Sequence, residues 1–356
     1  MPARLSAVEA VSPAFDHTKR QLFQPFRFKR WARLAVVSLV TGEFAGSSWG
    51  GGNVNLPSGG SGGKKDLSLL AYLADPAGER LREFLPWIAA LVLLGLALAL
   101  LWIYVASVFR FVLLDAVLRD HYELRAGWTR WRQPGGRYFL WQLAFSLVML
   151  TVLGIVVGVP VYVAWVAGVF KRPGEHWGLL IGGGAALFLV VVGIVLVSLL
   201  VDLFSRDFLV PLMALENLGV WEAWERLLPL LRSEKGGYAG YVLMKIVLAV
   251  GSAILFGILN VIVLFLLLIP LALAGAALVL GGKAAGLTWS VYTIGAAVLL
   301  GLTALAGILY VLSFISSPAV FFFQSYTLQF FGGRHPLLGA LLARPVPSGS
   351  PTAPFS

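Results

Sequence analysis

The sequence predicts an all-α integral membrane protein: about six transmembrane helices, interfacial amphipathic helices on the cytoplasmic side, and three parallel two-span repeats. Three observations carry this expectation. Of 356 residues, 59% are hydrophobic and only 12% charged, and the mean hydropathy is +0.86. Soluble domains carry about 25% charged residues, so this chain has too few to cover itself with a wettable surface. Apolar runs longer than the ~20 residues needed to cross a bilayer recur along it. The connectors between those runs are basic and aromatic, as in RDHYELRAGWTRWRQPGGRYFLWQLA at 119–144. Apolar ring bodies beside Lys and Arg suit the headgroup layer, where the rings sink and the charges stay wet.

Taken in order, residues 1–12 read as disordered, and Ser12-Pro13 as a helix start with Ser as N-cap and Pro at the first helical position. The following stretch interleaves Phe15, Phe23, Phe26, Phe28 and Trp31 with Lys19, Arg20, Arg27, Lys29, Arg30 and Arg33, and reads as an interfacial helix. The first apolar run, 34–46, is short and contains Glu43, so it is a marginal span or a re-entrant segment. A glycine-rich loop follows, with short helices near 66–73 and 77–84. It is no phosphate-binding loop: Ser58 stands where the first Gly belongs and Lys65 where Ser or Thr is required. Further spans are expected at 85–109, 138–170 (interrupted by Pro160), 179–204, 241–280 (interrupted by Pro270) and 288–314. For 241–280 two readings stay open, one kinked helix or a span plus a returning half-helix. The connector after the fourth span predicts a surface helix at 220–232, and the Pro- and Ser-rich tail, 336–356, reads as disordered.

Lys and Arg sort cleanly on this plan, 20 inside against 7 outside of the 27 present, which puts both termini in the cytoplasm of a cell-membrane protein. Short motifs recur at common offsets. Gln24-Pro25 matches Gln133-Pro134; Arg110, Trp128 and Arg130 match Arg206, Trp224 and Arg226; Gly135-Gly136 matches Gly236-Gly237. They divide a single membrane domain, 13–335, into units at 13–118, 119–215 and 216–335. Two spans per unit return the chain to its starting side, so the copies are parallel.

The segment LVPLMALENLGVWEAWERLLPLLRSEKGGYAGYV resembles a P-x-x-x-x-E-x-x-G-x-x-E-A pattern, carried here by Pro211, Glu216, Gly219, Glu222 and Ala223. That pattern belongs to a bacterial and archaeal superfamily that includes the membrane domain attached to some glycerophosphoryl diester phosphodiesterases. The N-terminal LFQPFRFKRWARLAVVSLVTGE is similar to the opening of its uncharacterised members. The resemblance implies a six-span fold over most of residues 14–335 and no known activity for the membrane part alone. The hydrolase barrel is absent, and GGRHP at 332–336 reverses the His-Arg-Gly order.

Candidate chemistry is sparse. The chain has no cysteine and four scattered histidines, so disulfides and thiolate metal sites are excluded and no metal or cofactor is expected. A net charge of +10 points to anionic lipid rather than nucleic acid, because the basic residues flank apolar spans. The intramembrane polar candidates are Glu43, Asp202, Arg206 and Asn260. Asp202 and Arg206 form an i, i+4 pair, Glu43 is expected to meet Lys245 or Arg110, and Lys245 to reach the surface from one turn inside its span. Asn260, deep in the 241–280 span, reads as interhelix hydrogen-bond glue. Trp31, Arg33, Trp128, Arg130, Trp131, Arg132, Trp224 and Arg226 read as contacts with the lipid interface, whereas Asp16, His17, Asp120, His121 and Glu123 read as solvated residues. The expected role is a non-enzymatic scaffold organising lipid or partner proteins; the alternative is a transporter component with a central polar cavity.

Overall fold

The computed structural model describes residues 4–24, 26–42, 77–119, 124–170, 174, 176–286 and 290–342, and among these there is no strand. In chain order the helices are α1 (Val11–Thr18), α2 (Phe28–Thr41), α3 (Ala77–Arg119), α4 (Leu124–Val166), α5 (Trp177–Phe204), α6 (Val210–Glu216), α7 (Val220–Ser233), α8 (Lys235–Ala284), α9 (Val291–Gly332) and α10 (Pro336–Leu342). π-helical turns follow α1 (Lys19–Phe23) and join α5 to α6 (Ser205–Leu209). Five stretches among the described residues are long and apolar enough to cross a membrane: Leu85–Leu118, Leu124–Val166, Trp177–Glu216, Lys235–Ala284 and Tyr292–Gly332.

These helices are longer than a bilayer needs. At 1.5 Å per residue the 50 residues of α8 extend ~75 Å, more than twice the ~30 Å hydrocarbon core. Each long helix accordingly divides in two. In four of the five, the most apolar stretch contains no buried residue. The opposite ends pack into one body, whose core gathers Phe111, Leu113, Tyr138, Phe208, Tyr241, Phe321 and Phe330 with Ala10 and Leu338 from the two ends of the chain. The long helices pair antiparallel. Tyr104 meets Phe139 and Trp131 stacks on Phe111 between α3 and α4; Tyr238 meets Phe330 and Asn260 bonds Ser316 between α8 and α9.

Several expectations change. The first apolar run contributes only the 14-residue α2, ~21 Å long, which ends at Gly42 in the left-handed region (φ 73°). Its stripe of Trp31, Leu34 and Ala35, with the polar Ser38, is buried in the body, against α9 and α3. The connector at 119–137 is not a separate surface helix: from Leu124 onward it forms the first turns of α4, uninterrupted through Pro134 and Pro160. The 241–280 stretch resolves into one helix through Pro270. Residues 4–12 are held rather than loose. Tyr326 OH donates to the Ala7 carbonyl at 3.0 Å, and a reciprocal Ser6–Glu9 cap holds the Glu9 carboxyl below its usual range. Helix α1 starts at Val11 with no side-chain cap, so Pro13 sits in its first turn rather than at its first position. The expected tail begins with helix α10. Glu43, the glycine-rich loop, the helix at 66–73, and Asp120, His121 and Glu123 lie outside the described residues.

Close approach of α3 and α4 rests on Gly135. A Cβ there would lie 2.8 Å from Val108 Cα, a backbone contact that no rotamer change relieves. Gly135→Ala should lower stability by about 1–3 kcal/mol through overpacking, read as a lower melting temperature in detergent. Gly136→Ala, whose new methyl would meet Tyr104 at 3.7 Å, should be near neutral.

Candidate functional site

The polar centre of the body is built on the π-helical turn that ends α5. In an α-helix Asp202 and Arg206 share a face, and here they do: Arg206 Nε donates to Asp202 Oδ1 at 3.0 Å and its Nη2 lies 2.7 Å from Oδ2. The wider turn brings the next residue, Asp207, into the same centre, and π turns of this kind cluster at functional sites. Asp207 is buried and takes both its oxygens to Lys245 Nζ, at 2.7 and 2.6 Å. Tyr241, one turn before Lys245 on α8, donates its hydroxyl to Asp207 Oδ2 at 2.8 Å and shares a 2.7 Å hydrogen bond with Thr327 of α9. Arg110 of α3 donates to Tyr138 OH of α4 at 3.2 Å. These groups surround a cavity of about 30 Å³ lined by Arg110, Arg206, Asp207, Lys245, Gln324 and Thr327, room for a water or two.

A second polar knot ties the chain ends together. Arg334, after α9, donates to Glu234 Oε2 at 2.8 Å and to the Leu5 carbonyl at 3.1 Å, and lies 3.9 Å over the Phe330 ring. Arg4 pairs with the same Glu234. His335 bonds Glu216 at 2.8 Å, and Arg226 reaches that carboxylate at 3.5 Å. The residues that carry the P-x-x-x-x-E-x-x-G-x-x-E-A pattern therefore have structural work here. Pro211 is buried after the π turn, Glu216 holds His335, and Gly219 starts α7 with its N–H on Glu222 Oε2 at 2.8 Å. Ala223 is fully buried.

The structure joins Asp202 with Arg206 and leaves Asn260 apart, farther along α8, where its Nδ2 donates to Ser316 Oγ of α9 at 3.0 Å. Lys245 does not reach the surface; it is 3% exposed because Asp207 holds it inside. Trp31 and Trp131 are core residues rather than lipid anchors. The Trp31 indole N–H donates to the Leu22 carbonyl at 3.0 Å, the Trp131 N–H points to Asp115 at 3.5 Å, and both rings are buried. Trp128 is half-buried between Tyr104 and Phe109, Trp224 lies against Trp141, and Arg33 is half-buried. Arg130, Arg132 and Arg226 are exposed, Arg130 over the Trp131 ring and 3.7 Å from Asp115. Sequence reasoning missed Asp207, Lys245, Tyr241 and Thr327 as one unit. The legible signal was a single Lys one turn after Tyr241 in an otherwise apolar run, with SRD opposite. Among the described residues no three His, Asp or Glu side chains converge to hold a metal.

Breaking the buried pair from one side should be costly. Lys245→Met leaves the Asp207 carboxylate inside without its counter-ion, a change worth roughly 3–5 kcal/mol. The double variant Lys245→Met/Asp207→Leu should recover most of that loss, both read from thermal unfolding in detergent. Equal losses in the single and double variants would mean that the charges are not what holds this junction.

No curated protein and no solved structure matches the chain. The family DUF7544, a family of unknown function, matches residues 5–341. That is nearly the whole described fold, from the Leu5 carbonyl under Arg334 to α10. The chain belongs to this family.

Proposed function

We propose that this protein is a non-enzymatic multi-pass protein of the cell membrane whose packed body lies at the cytoplasmic leaflet and organises anionic lipid around it. The observation that carries the reading is the set of exposed rings and cations on the body from which the long helices leave. Phe28 rests on Phe314, and Trp224 on Trp141, at the heights where α9 and α4 become exposed. On the same body Phe15, Phe23, Phe26 and Trp221 are exposed, as are Lys19, Arg20, Arg27, Lys29, Arg130, Arg132 and Arg226. Each cation near an anionic leaflet contributes about 1 kcal/mol. On this reading the chain ends are cytoplasmic, the partner is lipid rather than nucleic acid, and the likeness to the phosphodiesterase-associated membrane domains extends to architecture but not to hydrolysis. The transporter reading has the central cavity in its favour, with a volume that restricts it to water or a small ion.

Two measurements test the proposal. Protein extracted at low salt should retain phosphatidylglycerol in excess of its share of the membrane. The excess should fall at high salt and in Arg130→Gln/Arg132→Gln; retention that simply mirrors membrane composition would refute the lipid role. The chain has no cysteine of its own. In intact cells, cysteine at Ser12 or Arg132 should resist an impermeant thiol reagent and cysteine at Lys283 should react. The opposite pattern would invert the orientation.

A further inference from the structure

Two apolar grooves run side by side along the first turns of α8. Spacings of three and four residues keep each set of lining side chains on one helix face. Gly236, Gly240, Met244 and Val247 line the first groove, whose other wall is the N-terminal segment from Leu5 to Val8. Ala239, Val242 and Ile246 line the second, against Leu200 and Phe204 of α5 and Leu231 of α7. Leu243 belongs to both and stands between them as a ridge, 64% exposed. The grooves measure about 580 and 490 Å³, each within the ~300–1,000 Å³ of ligand clefts.

Their ends at the start of α8 are basic. Arg4 and Arg334 border the first groove and Lys235 the second, and both Arg4 and Lys235 are exposed. Two carboxylates accompany them. Glu9 accepts the Ser6 N–H at 2.8 Å, and Glu234 receives Arg4 and Arg334. At the far ends, beyond Ile246 and Val247, the exposed apolar side of α8 continues through Val250 and Ile254. Large apolar side chains stay exposed as far as Leu280. From Leu243 that is ~57 Å of helix, still ~44 Å at the ~40° that bounds ordinary tilts, against a hydrocarbon core of ~30 Å. One end of this stretch therefore stands outside the bulk hydrocarbon, and the end beside the body is the one with walls on either side of α8.

We propose that the paired grooves hold one anionic diacyl phospholipid, with a tail on each side of Leu243 and the phosphate among Arg4, Lys235 and Arg334. Two parallel apolar channels that meet at one basic end match the shape and charge of such a lipid, and match no single-chain amphiphile. The inference rests on the lipid reading above and goes beyond it. That reading needs only a preferred lipid composition around the body; this one fixes a site, a pair of tails and their direction along α8.

The test begins with the full chain purified in neutral detergent at high salt, washed free of loosely held lipid and weighed intact by native mass spectrometry. One diacyl phospholipid per chain should remain. Delipidated protein should bind dioleoyl phosphatidylglycerol several-fold more tightly than dioleoyl phosphatidylcholine or oleoyl lysophosphatidylglycerol. Gly236→Leu fills the first groove, since a Cβ there meets nothing within 4 Å; Ala239→Phe fills the second from an exposed helical position. Each should keep the wild-type melting temperature and weaken the diacyl lipid to the level of the one-tailed lipid. Lys235→Gln should narrow the preference for phosphatidylglycerol over phosphatidylcholine. Arg130→Gln/Arg132→Gln, which lowers the general phosphatidylglycerol excess, should leave this lipid in place. A general excess without a salt-resistant lipid would overturn the site alone, and a retained lipid without the general excess would refute the broader reading alone. Equal affinity for one-tailed and two-tailed lipid in the wild-type protein would also overturn the site. So would wild-type binding in both groove-filling variants, or a lipid-free dimer in which a second copy covers the grooves.

Discussion

The ion pair between Asp207 and Lys245 is the constraint around which the body is arranged. One carboxylate joins the π turn of the third long stretch to α8 through Lys245 and Tyr241, and through Tyr241 to Thr327 of α9. Taking two charges out of water largely offsets their attraction, so such a pair adds little net stability. Its effect is on register. If α8 slid by one turn against α5, Lys245 and Asp207 would each be buried without a partner, at a cost of several kcal/mol. Apolar packing alone, Phe208 against Tyr241 and Phe330, would penalise that slip far less.

That constraint matters more because the rest of the long helices offers few others. In lipid there is no hydrophobic driving force between helices, so association depends on close packing and interhelix hydrogen bonds. Beyond the body the apolar stretches leave large side chains such as Leu91, Leu147, Phe188, Leu266 and Leu299 exposed, and Asn260 with Ser316 supplies a polar tie between α8 and α9. Stability is therefore concentrated at one end of the molecule. The other end presents a wide apolar surface to whatever surrounds it.

Composition and run length were enough to read the helical class and the apolar parts of five long helices, because hydropathy reports the demand of lipid directly, but not where the helices end: α4 starts at Leu124 rather than 138 and α9 runs to Gly332 rather than 314. What they could not separate was a connector that lies on a membrane from one that continues a helix. Residues 124–137 carry the same Trp and Arg mixture in either case, and only packing against α3, through Gly135 on Val108, makes them part of α4. The same limit hid the fate of the tryptophans. An indole suits a lipid interface and a protein core equally well, and Trp31 and Trp131 went inside because Leu22 and Asp115 stood ready for their N–H groups. The i, i+4 spacing of Asp202 and Arg206 was legible; the partnership of Asp207 with Lys245 was not, since it joins residues on different helices and depends on a π turn that hydropathy does not encode.

The knot at Arg334 gives the topology a check that helix counting alone lacks. Five long antiparallel helices put the start of α3 and the end of α9 at opposite ends of the molecule. Yet Leu5 and Ala7, which precede α3, bond directly to Arg334 and Tyr326 at the end of α9. The two ends of the described chain therefore share one end of the molecule, whatever path lies between Thr41 and Ala77. A shared end also makes sense of Glu234, which receives Arg4 and Arg334 together. It sits at the elbow between α7 and α8, where the chain turns from the body into a long helix. Loss of that carboxylate would remove a tie from the N-terminal segment and from the α9 exit at once, leaving the Tyr326–Ala7 and Arg334–Leu5 hydrogen bonds to hold them together.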